Sequence, residues 1–173
     1  MTVTLARIAQ TLSTVRVTGE ASANSPLART GFYDRWMMRQ KGALSAVFIG
    51  PEEIEFRHPN KITNMLSGLH GVCLAHVHLM THGGGGDRTT PNMYAYSTQS
   101  ASAGGLGGSC PNCPMAIVVD GMQQIPPPAI DDILDPNDVA AIEVYDRGGN
   151  MPLSLQVNDN ICGVIAFWTG SRK

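Results

Sequence analysis

The residues with the most distinctive chemistry in this 173-residue chain are its four cysteines and five histidines. Cys110 and Cys113 form a Cys-x-x-Cys motif, and an apolar segment nearer the N-terminus carries another cysteine and two histidines. Alternate side chains of a strand share a face, so His76 and His78 would lie side by side. Zinc is held by cysteine and histidine, which makes these residues candidate ligands. The candidate set is Cys73, His76, His78, His82, Cys110 and Cys113.

The spacing of these residues favours disulfides over a metal centre. A structural zinc site usually combines two closely spaced ligand pairs, whereas this chain has one tight cysteine pair. We therefore expect no bound cofactor. A bond from either cysteine of the motif to Cys162 would close a loop of about 50 residues, worth about 4 kcal/mol in the chain-entropy model. Three pairings are open among Cys73, Cys110, Cys113 and Cys162.

The cysteines also bear on the compartment, because disulfides persist where the environment is oxidising. They favour the periplasm. The start of the chain lacks the continuous apolar stretch of a signal peptide, which alone would favour the cytosol. No apolar run approaches the roughly 20 residues of a membrane-spanning helix. The net charge of −2 and the absence of a basic run exclude an electrostatic site for nucleic acid.

Charged residues make up only 15% of the chain, against a typical value of about 25%. A weakly charged surface is typical of a protein that a partner covers. The charge is uneven, since residues 62–146 carry eight acidic residues and one basic residue. We interpret that stretch as solvated loops rather than a site for a basic partner.

No sequence motif of an enzyme is present. A strand rather than a helix is predicted after Pro114, so no helix N-terminus would lower the pKa of a thiol in the Cys-x-x-Cys motif. The glycine run at residues 82–86 lacks the lysine and the strand-to-helix frame of a phosphate-binding loop. The nucleophile motif G-x-S-x-G and the zinc motif H-E-x-x-H are absent as well. We therefore expect a protein without catalytic residues.

The first third of the chain predicts short elements that would position these residues. Residues 12–18 alternate as a strand, and residues 20–26 form a small, polar linker. Apolar residues between 27 and 38 have helical spacing, with Gly42 as the stop signal. A short strand at residues 46–49 precedes a helix that begins at Pro51, and Asn60 is the expected cap of a second helix.

The rest of the chain predicts strands around a glycine-rich middle. Residues 72–79 indicate a strand, and residues 81–109 contain eight glycines, which indicates a long loop or arm. Further strands are predicted before Asp120, at residues 141–145 and at the apolar end of the chain. Helices and strands mix without a βαβ rhythm, so we expect an α+β fold with a small mixed sheet and short flanking helices.

Three sequence blocks, taken in order, resemble the plug domain of TonB-dependent outer-membrane receptors. The first runs from Phe48-Ile49-Gly50-Pro51 to Leu69-His70-Gly71-Val72, with His70 where proline is usual. The second ends in the Asp120-Gly121 turn, and the third contains Ile142-Glu143-Val144-Tyr145 and Cys162-Gly163-Val164. The resemblance covers about residues 12–169, and Thr14–Thr18 is similar to the energy-coupling strand or the first plug strand.

The resemblance implies a plug fold in the bacterial envelope. It divides the chain into an N-terminal arm with the first strand, residues 1–24, and a plug-like domain, residues 25–173, with the glycine-rich insertion at 81–109. The chain stops at Lys173, where a transporter of this family would begin its barrel. We therefore expect a stand-alone plug domain rather than a transporter.

The main functional hypothesis is a non-enzymatic, periplasmic subunit that docks on and stabilises a larger membrane-associated complex. The partners would be protein subunits of an envelope or inner-membrane complex, and the host an energy-transducing or light-harvesting assembly, as in photosynthesis. Aromatic and methionine side chains are the expected contacts, with core packing as the alternative for the aromatic ones. The candidates are Trp36, Met37, Met38, Tyr94 and Tyr96.

Two other hypotheses remain open. In one, the chain is a plug or accessory module of the TonB transport system, and a strand made of Thr14, Val15, Arg16, Val17 and Thr18 adds to a partner sheet. In the other, the cysteines and histidines make the chain a metal-binding protein.

Overall fold

The computed structural model describes residues 25–79, 88–98, 110–146, 151–156 and 162–170. These residues form seven strands, four α-helices and two 3-10 helices. The strands are β1 (Val47–Ile49), β2 (Val72–Leu79), β3 (Arg88–Ser97), β4 (Ala116–Val119), β5 (Met122–Gln124), β6 (Val139–Tyr145) and β7 (Val164–Thr169). The α-helices are α1 (Pro26–Arg29), α2 (Phe32–Gln40), α3 (Pro51–Arg57) and α4 (Ile62–Leu66), and the 3-10 helices are Ile130–Asp132 and Leu153–Leu155.

Five of the strands form one mixed sheet in the order β1-β6-β7-β4-β5. Strands β4 and β7 run parallel, and the other neighbours are antiparallel. Strands β2 and β3 form a separate antiparallel pair, here called the ribbon. The predicted α+β class, with a small mixed sheet and short helices, is confirmed.

The five-stranded sheet is buried on both sides. One side, here called the apolar face, packs against α3, α4, the first 3-10 helix and the base of the ribbon. The other, here called the Glu143 face, packs against α1 and α2. Because β6 is buried along its whole length, its sequence is mostly apolar instead of alternating. The apolar face contains Ile49, Ile117, Ile142, Val144, Ile165 and Phe167, and the Glu143 face contains Phe48, Ala116, Val118, Ala141, Glu143, Tyr145, Val164, Ala166 and Trp168.

Helix starts follow local rules in two places. Helix α3 begins at Pro51, as predicted, with two glutamates in its first turn that complement the helix dipole. Helix α1 begins at Pro26, where a linker was expected, because the Ser25 hydroxyl accepts a hydrogen bond from the backbone N–H of Ala28 at 3.1 Å. The helical segment predicted from residue 27 is split into α1 and α2 by Gly31, whose φ is +74°.

The start of α4 differs from the prediction that Asn60 caps it. Lys61 precedes the helix, and its side chain makes no capping hydrogen bond. Instead, the carboxylate of Asp131 accepts hydrogen bonds from the backbone N–H and the hydroxyl of Thr63, at 2.9 and 3.1 Å. The acceptor is therefore 68 positions away in the chain, beyond the reach of a local sequence pattern.

The ribbon corrects the prediction of one long loop over residues 81–109. Residues 88–97 form β3, which pairs with β2 from Val72 opposite Ser97 to Leu79 opposite Arg88, with a bulge between His76 and His78. Pro91 and the neighbouring glycines conceal this strand in the sequence. The predicted strand at residues 12–18 and the glycines on either side of β3 lie outside the described residues.

Candidate interaction surface

The four cysteines form two disulfides, Cys73–Cys110 and Cys113–Cys162. The Cys-x-x-Cys motif lies in the segment that precedes β4. Cys110 links this segment to the ribbon, and Cys113 links it to the residues just before β7. A bond between Cys110 and Cys162, which the sequence left open, is not formed. Sulfur atoms in disulfides are not thiolates, so three of the six candidate zinc ligands are not available to a metal in this state.

The histidines of the candidate metal set lie on or after β2. His76 is opposite Met93 in the ribbon, and His78 follows the bulge. The side chain of His78 and the whole of His82 lie outside the described part of the structure. Among the residues that are described, no group of three or more histidine, cysteine, aspartate or glutamate side chains is placed to hold a metal ion.

Three of the predicted contact residues lie on α2. Trp36 is half-buried against the Glu143 face and stacks on Tyr33, with ring centroids 6.3 Å apart. Its ring packs closely on Gly50, 3.1 Å from the place that a Cβ there would occupy. Much of the Trp36 surface is therefore buried within the protein. Met37 and Met38 are 51% and 52% exposed and remain open to a partner. The five candidates between Thr14 and Thr18 lie outside the described residues.

The other two predicted contact residues, Tyr94 and Tyr96, share one face of the ribbon. They lie opposite Ala75 and Cys73 respectively, and both rings are half-buried. Burial, followed by the neighbouring Tyr94, raises the pKa of Tyr96, so its phenol is uncharged at neutral pH. Two tyrosines side by side provide apolar ring surface together with polar hydroxyls, which suits a protein contact.

Strand β5, at one edge of the five-stranded sheet, and the residues directly after it carry two exposed apolar side chains that are near neighbours in the chain. Met122 and Ile125 are each 70% exposed, and Pro126 and Pro127 beside them are exposed too. No charged residue occurs from position 121 to 130. We call residues 122–127 the β5 strip. This surface was not predicted from the sequence, because the edge position of β5 follows only from the order of the strands in the sheet.

The turn before the β5 strip is anchored to the end of strand β7. Asp120 and Gly121 have φ values of +49° and +83°, as a two-residue hairpin turn requires. The Asp120 carboxylate accepts hydrogen bonds from the backbone N–H and the hydroxyl of Thr169, at 2.8 and 2.6 Å. The strip is therefore presented by an anchored hairpin rather than by a free loop.

A buried polar cluster on the Glu143 face was not predicted from the sequence. Glu143 is fully buried, and its two carboxylate oxygens accept four hydrogen bonds. Arg35 donates two of them, at 2.9 and 2.6 Å, while the Tyr145 hydroxyl and the Trp168 indole N–H donate the others, at 2.5 and 2.6 Å. Arg35 also donates to the carbonyl of Thr30 at 2.9 Å, so it joins α1 and α2 to the sheet.

The cluster shifts the pKa of two of its members, Arg35 and Tyr145. Burial acts to lower the pKa of Arg35, but the hydrogen bonds and the negative charge of Glu143 outweigh it and raise that pKa. Burial, followed by the charge and hydrogen bond of Glu143, raises the pKa of Tyr145 far above its ordinary value. A carboxylate whose oxygens are already occupied by four donors is suited to hold structure together. It is poorly placed to transfer protons to a substrate.

Comparisons with known proteins add little to this geometry. No protein-family model matches the chain. No curated protein matches it either. Among solved structures it is similar to a chain in "Structure of the RagAB peptide importer in the 'closed-closed' state", with 17% sequence identity and a TM-score of 0.44. The match covers 73% of this chain and 12% of that one.

The described helices are all short. None of them combines the length and the apolar character that a membrane crossing needs. The two disulfides are typical of proteins in oxidising compartments outside the cytosol.

Proposed function

We propose that this chain is a non-enzymatic, plug-like module of the periplasm that docks on a larger membrane-associated assembly and stabilises it. The partners would be protein subunits of an envelope or inner-membrane complex, of an energy-transducing or light-harvesting kind. The observation that carries the proposal is the β5 strip, where Met122 and Ile125 present apolar side chains at 70% exposure on an anchored hairpin.

The exposed apolar side chains of the β5 strip would be more stable in contact with a protein surface than in water. Burying large apolar side chains stabilises a complex by about 25 cal/mol per Å², and interface centres are depleted in charge. The strip satisfies both conditions. Met122 and Ile125 are large, exposed apolar side chains, and residues 121–130 are uncharged. The two disulfides support the periplasm as the site of this contact.

The absence of an enzymatic role is also part of the proposal. Its support is that the groups best suited to chemistry are already committed. All four cysteines are in disulfides, and the buried carboxylate of Glu143 accepts four hydrogen bonds.

The test is native purification from membranes of the source cells, with tagged wild type compared with the double variant Met122→Lys, Ile125→Lys. We expect the wild type to sediment with a large assembly in mild detergent and the variant to lose most of that association. The matched control is Phe56→Lys with Leu153→Lys, which replaces two side chains that are 86% and 83% exposed on other elements. A wild-type chain that sediments alone, or a control that loses as much as the strip variant, contradicts the proposal.

A plug or accessory role in the TonB transport system is the second candidate. Its support is the sequence resemblance, whose motifs occupy the Asp120-Gly121 hairpin and the interior strand β6. In that case, deletion of residues 1–18 should abolish binding to the periplasmic domain of TonB, while lysines in the β5 strip should not. Unchanged TonB binding after the deletion would rule this role out.

A further inference from the structure

The sulfur that this chain can still offer to an oxidant is in its methionines. All four cysteines are in disulfides, so no thiol competes for the oxidant. The thioether of methionine is oxidised to a sulfoxide, which turns a flexible apolar side chain into a polar one. Because the oxidant reaches the sulfur from solvent, the exposure of each methionine decides whether it reacts.

The methionines that the structure describes differ widely in exposure. Met122 has the largest exposed fraction, 70%, and Met37 and Met38 follow at 51% and 52%. Met65 and Met115 are buried in the core, at 0% and 1%. An oxidant in solution therefore reaches the first three methionines and not the last two.

The three exposed methionines lie on two different surfaces. Met122 is the first residue of the β5 strip, which contains no charged residue. Met37 and Met38 are on α2, where the neighbouring Trp36 packs on Gly50, the residue directly after β1. Strands β1 and β5 are the opposite edges of the five-stranded sheet. Oxidation of Met122 therefore changes the strip, whereas oxidation of the α2 methionines changes another part of the protein.

We infer that Met122 is an oxidation site that controls the β5 strip, so that hydrogen peroxide converts it to the sulfoxide and the oxidised chain no longer docks. This inference rests on the proposed docking function. A lone pair of the sulfur attacks one peroxide oxygen, the S–O bond forms as the O–O bond breaks, and the other oxygen leaves as water. Burying the new polar oxygen in an apolar contact is costly, so docking should weaken about tenfold or more. Methionine sulfoxide reductases reverse the change.

The first part of the experiment tests the site on the isolated chain, without any partner. The full, disulfide-bonded chain is partly oxidised with hydrogen peroxide, and each sulfoxide is located by peptide mass spectrometry. We expect sulfoxide at Met122, Met37 and Met38, and none at the buried Met115. A chain in which the α2 methionines react and Met122 does not would overturn the inference, whatever the chain docks on.

The second part tests the effect on docking. The partly oxidised chain is mixed with washed membranes from source cells that lack it, the membranes are pelleted, and sulfoxides are mapped in pellet and supernatant. The free-to-bound ratio should be about tenfold higher for chains oxidised at Met122 than for unoxidised chains. Met37 and Met38 are the matched controls, and their oxidation should leave the ratio unchanged.

The outcomes separate this inference from the docking function on which it rests. If the untreated chain binds the membranes and oxidation of Met122 does not change the ratio, docking stands and its control by oxidation is wrong. A larger effect at Met37 or Met38 than at Met122 has the same meaning. If even the untreated chain stays in the supernatant, the docking function fails, and its regulation fails with it.

Discussion

The two faces of the five-stranded sheet are both buried, yet they are held by different interactions. The apolar face packs isoleucine, valine and phenylalanine side chains against α3, α4 and the ribbon. The Glu143 face adds an ion pair and two further hydrogen bonds on a fully buried carboxylate. The apolar face is stabilised by close packing, which tolerates small changes in side-chain volume. The Glu143 face depends on every donor being present, because a buried charge without partners is costly.

The sharpest way to break this contrast is Arg35→Met. The change leaves the Glu143 carboxylate buried without its counter-charge, so we expect a loss of about 3–5 kcal/mol in the free energy of unfolding. Urea denaturation followed by circular dichroism measures it. Adding Glu143→Gln to Arg35→Met removes the charge and should restore part of the loss. If the double variant is less stable than the single one, an unpaired charge is not the cause.

Tyr145→Phe tests a single donor on the same carboxylate. Removing the hydroxyl that donates to Glu143 at 2.5 Å should cost about 1.5–3 kcal/mol, the range for hydrogen bonds to charged groups. The same denaturation assay applies. A cost below that of an ordinary neutral hydrogen bond would show that the other three donors are sufficient.

Alkaline pH should distinguish wild type from Tyr145→Phe further. The pKa of Tyr145 is raised in the folded state, so above about pH 10 the unfolded chain loses this proton while the folded chain keeps it. The stability contributed by the raised pKa is therefore present below pH 10 and declines as the pH rises, by up to about 1.4 kcal/mol per pH unit. The wild type should lose stability above pH 10 more steeply than Tyr145→Phe. Equal slopes for the two proteins would contradict this.

The smallest effect is expected on the apolar face. Ile142→Val removes one methylene group from a fully buried side chain and should cost about 0.5–1.5 kcal/mol. Thermal and urea unfolding measure it. A loss as large as that of Arg35→Met would erase the difference between the faces.

Much of the fold is predictable because its signals are local. The apolar runs of β4 and β7, the mostly apolar β6, the Pro51 start of α3 and the Asp120-Gly121 turn all depend on residues that are neighbours in the chain. The cap of α4 and strand β3 were missed because their partners are distant. The Asp131 carboxylate accepts a hydrogen bond from Thr63 N–H at the start of α4, from 68 positions away. Strand β3 is stabilised by its pairing with β2.

The candidate surface was predictable only in part. Methionines and aromatic residues are visible in any sequence, but their exposure is decided by packing, which covers much of Trp36 and leaves Met122 open. By itself, the sequence determined the class of fold, the short elements and the chemistry of four oxidisable cysteines. Only the tertiary structure decided which cysteines pair, which strands lie at an edge, and that Arg35 meets Glu143 across 108 positions. The physical reason is that side-chain type and periodicity are local properties, whereas burial, pairing and edges exist only once distant segments are packed together.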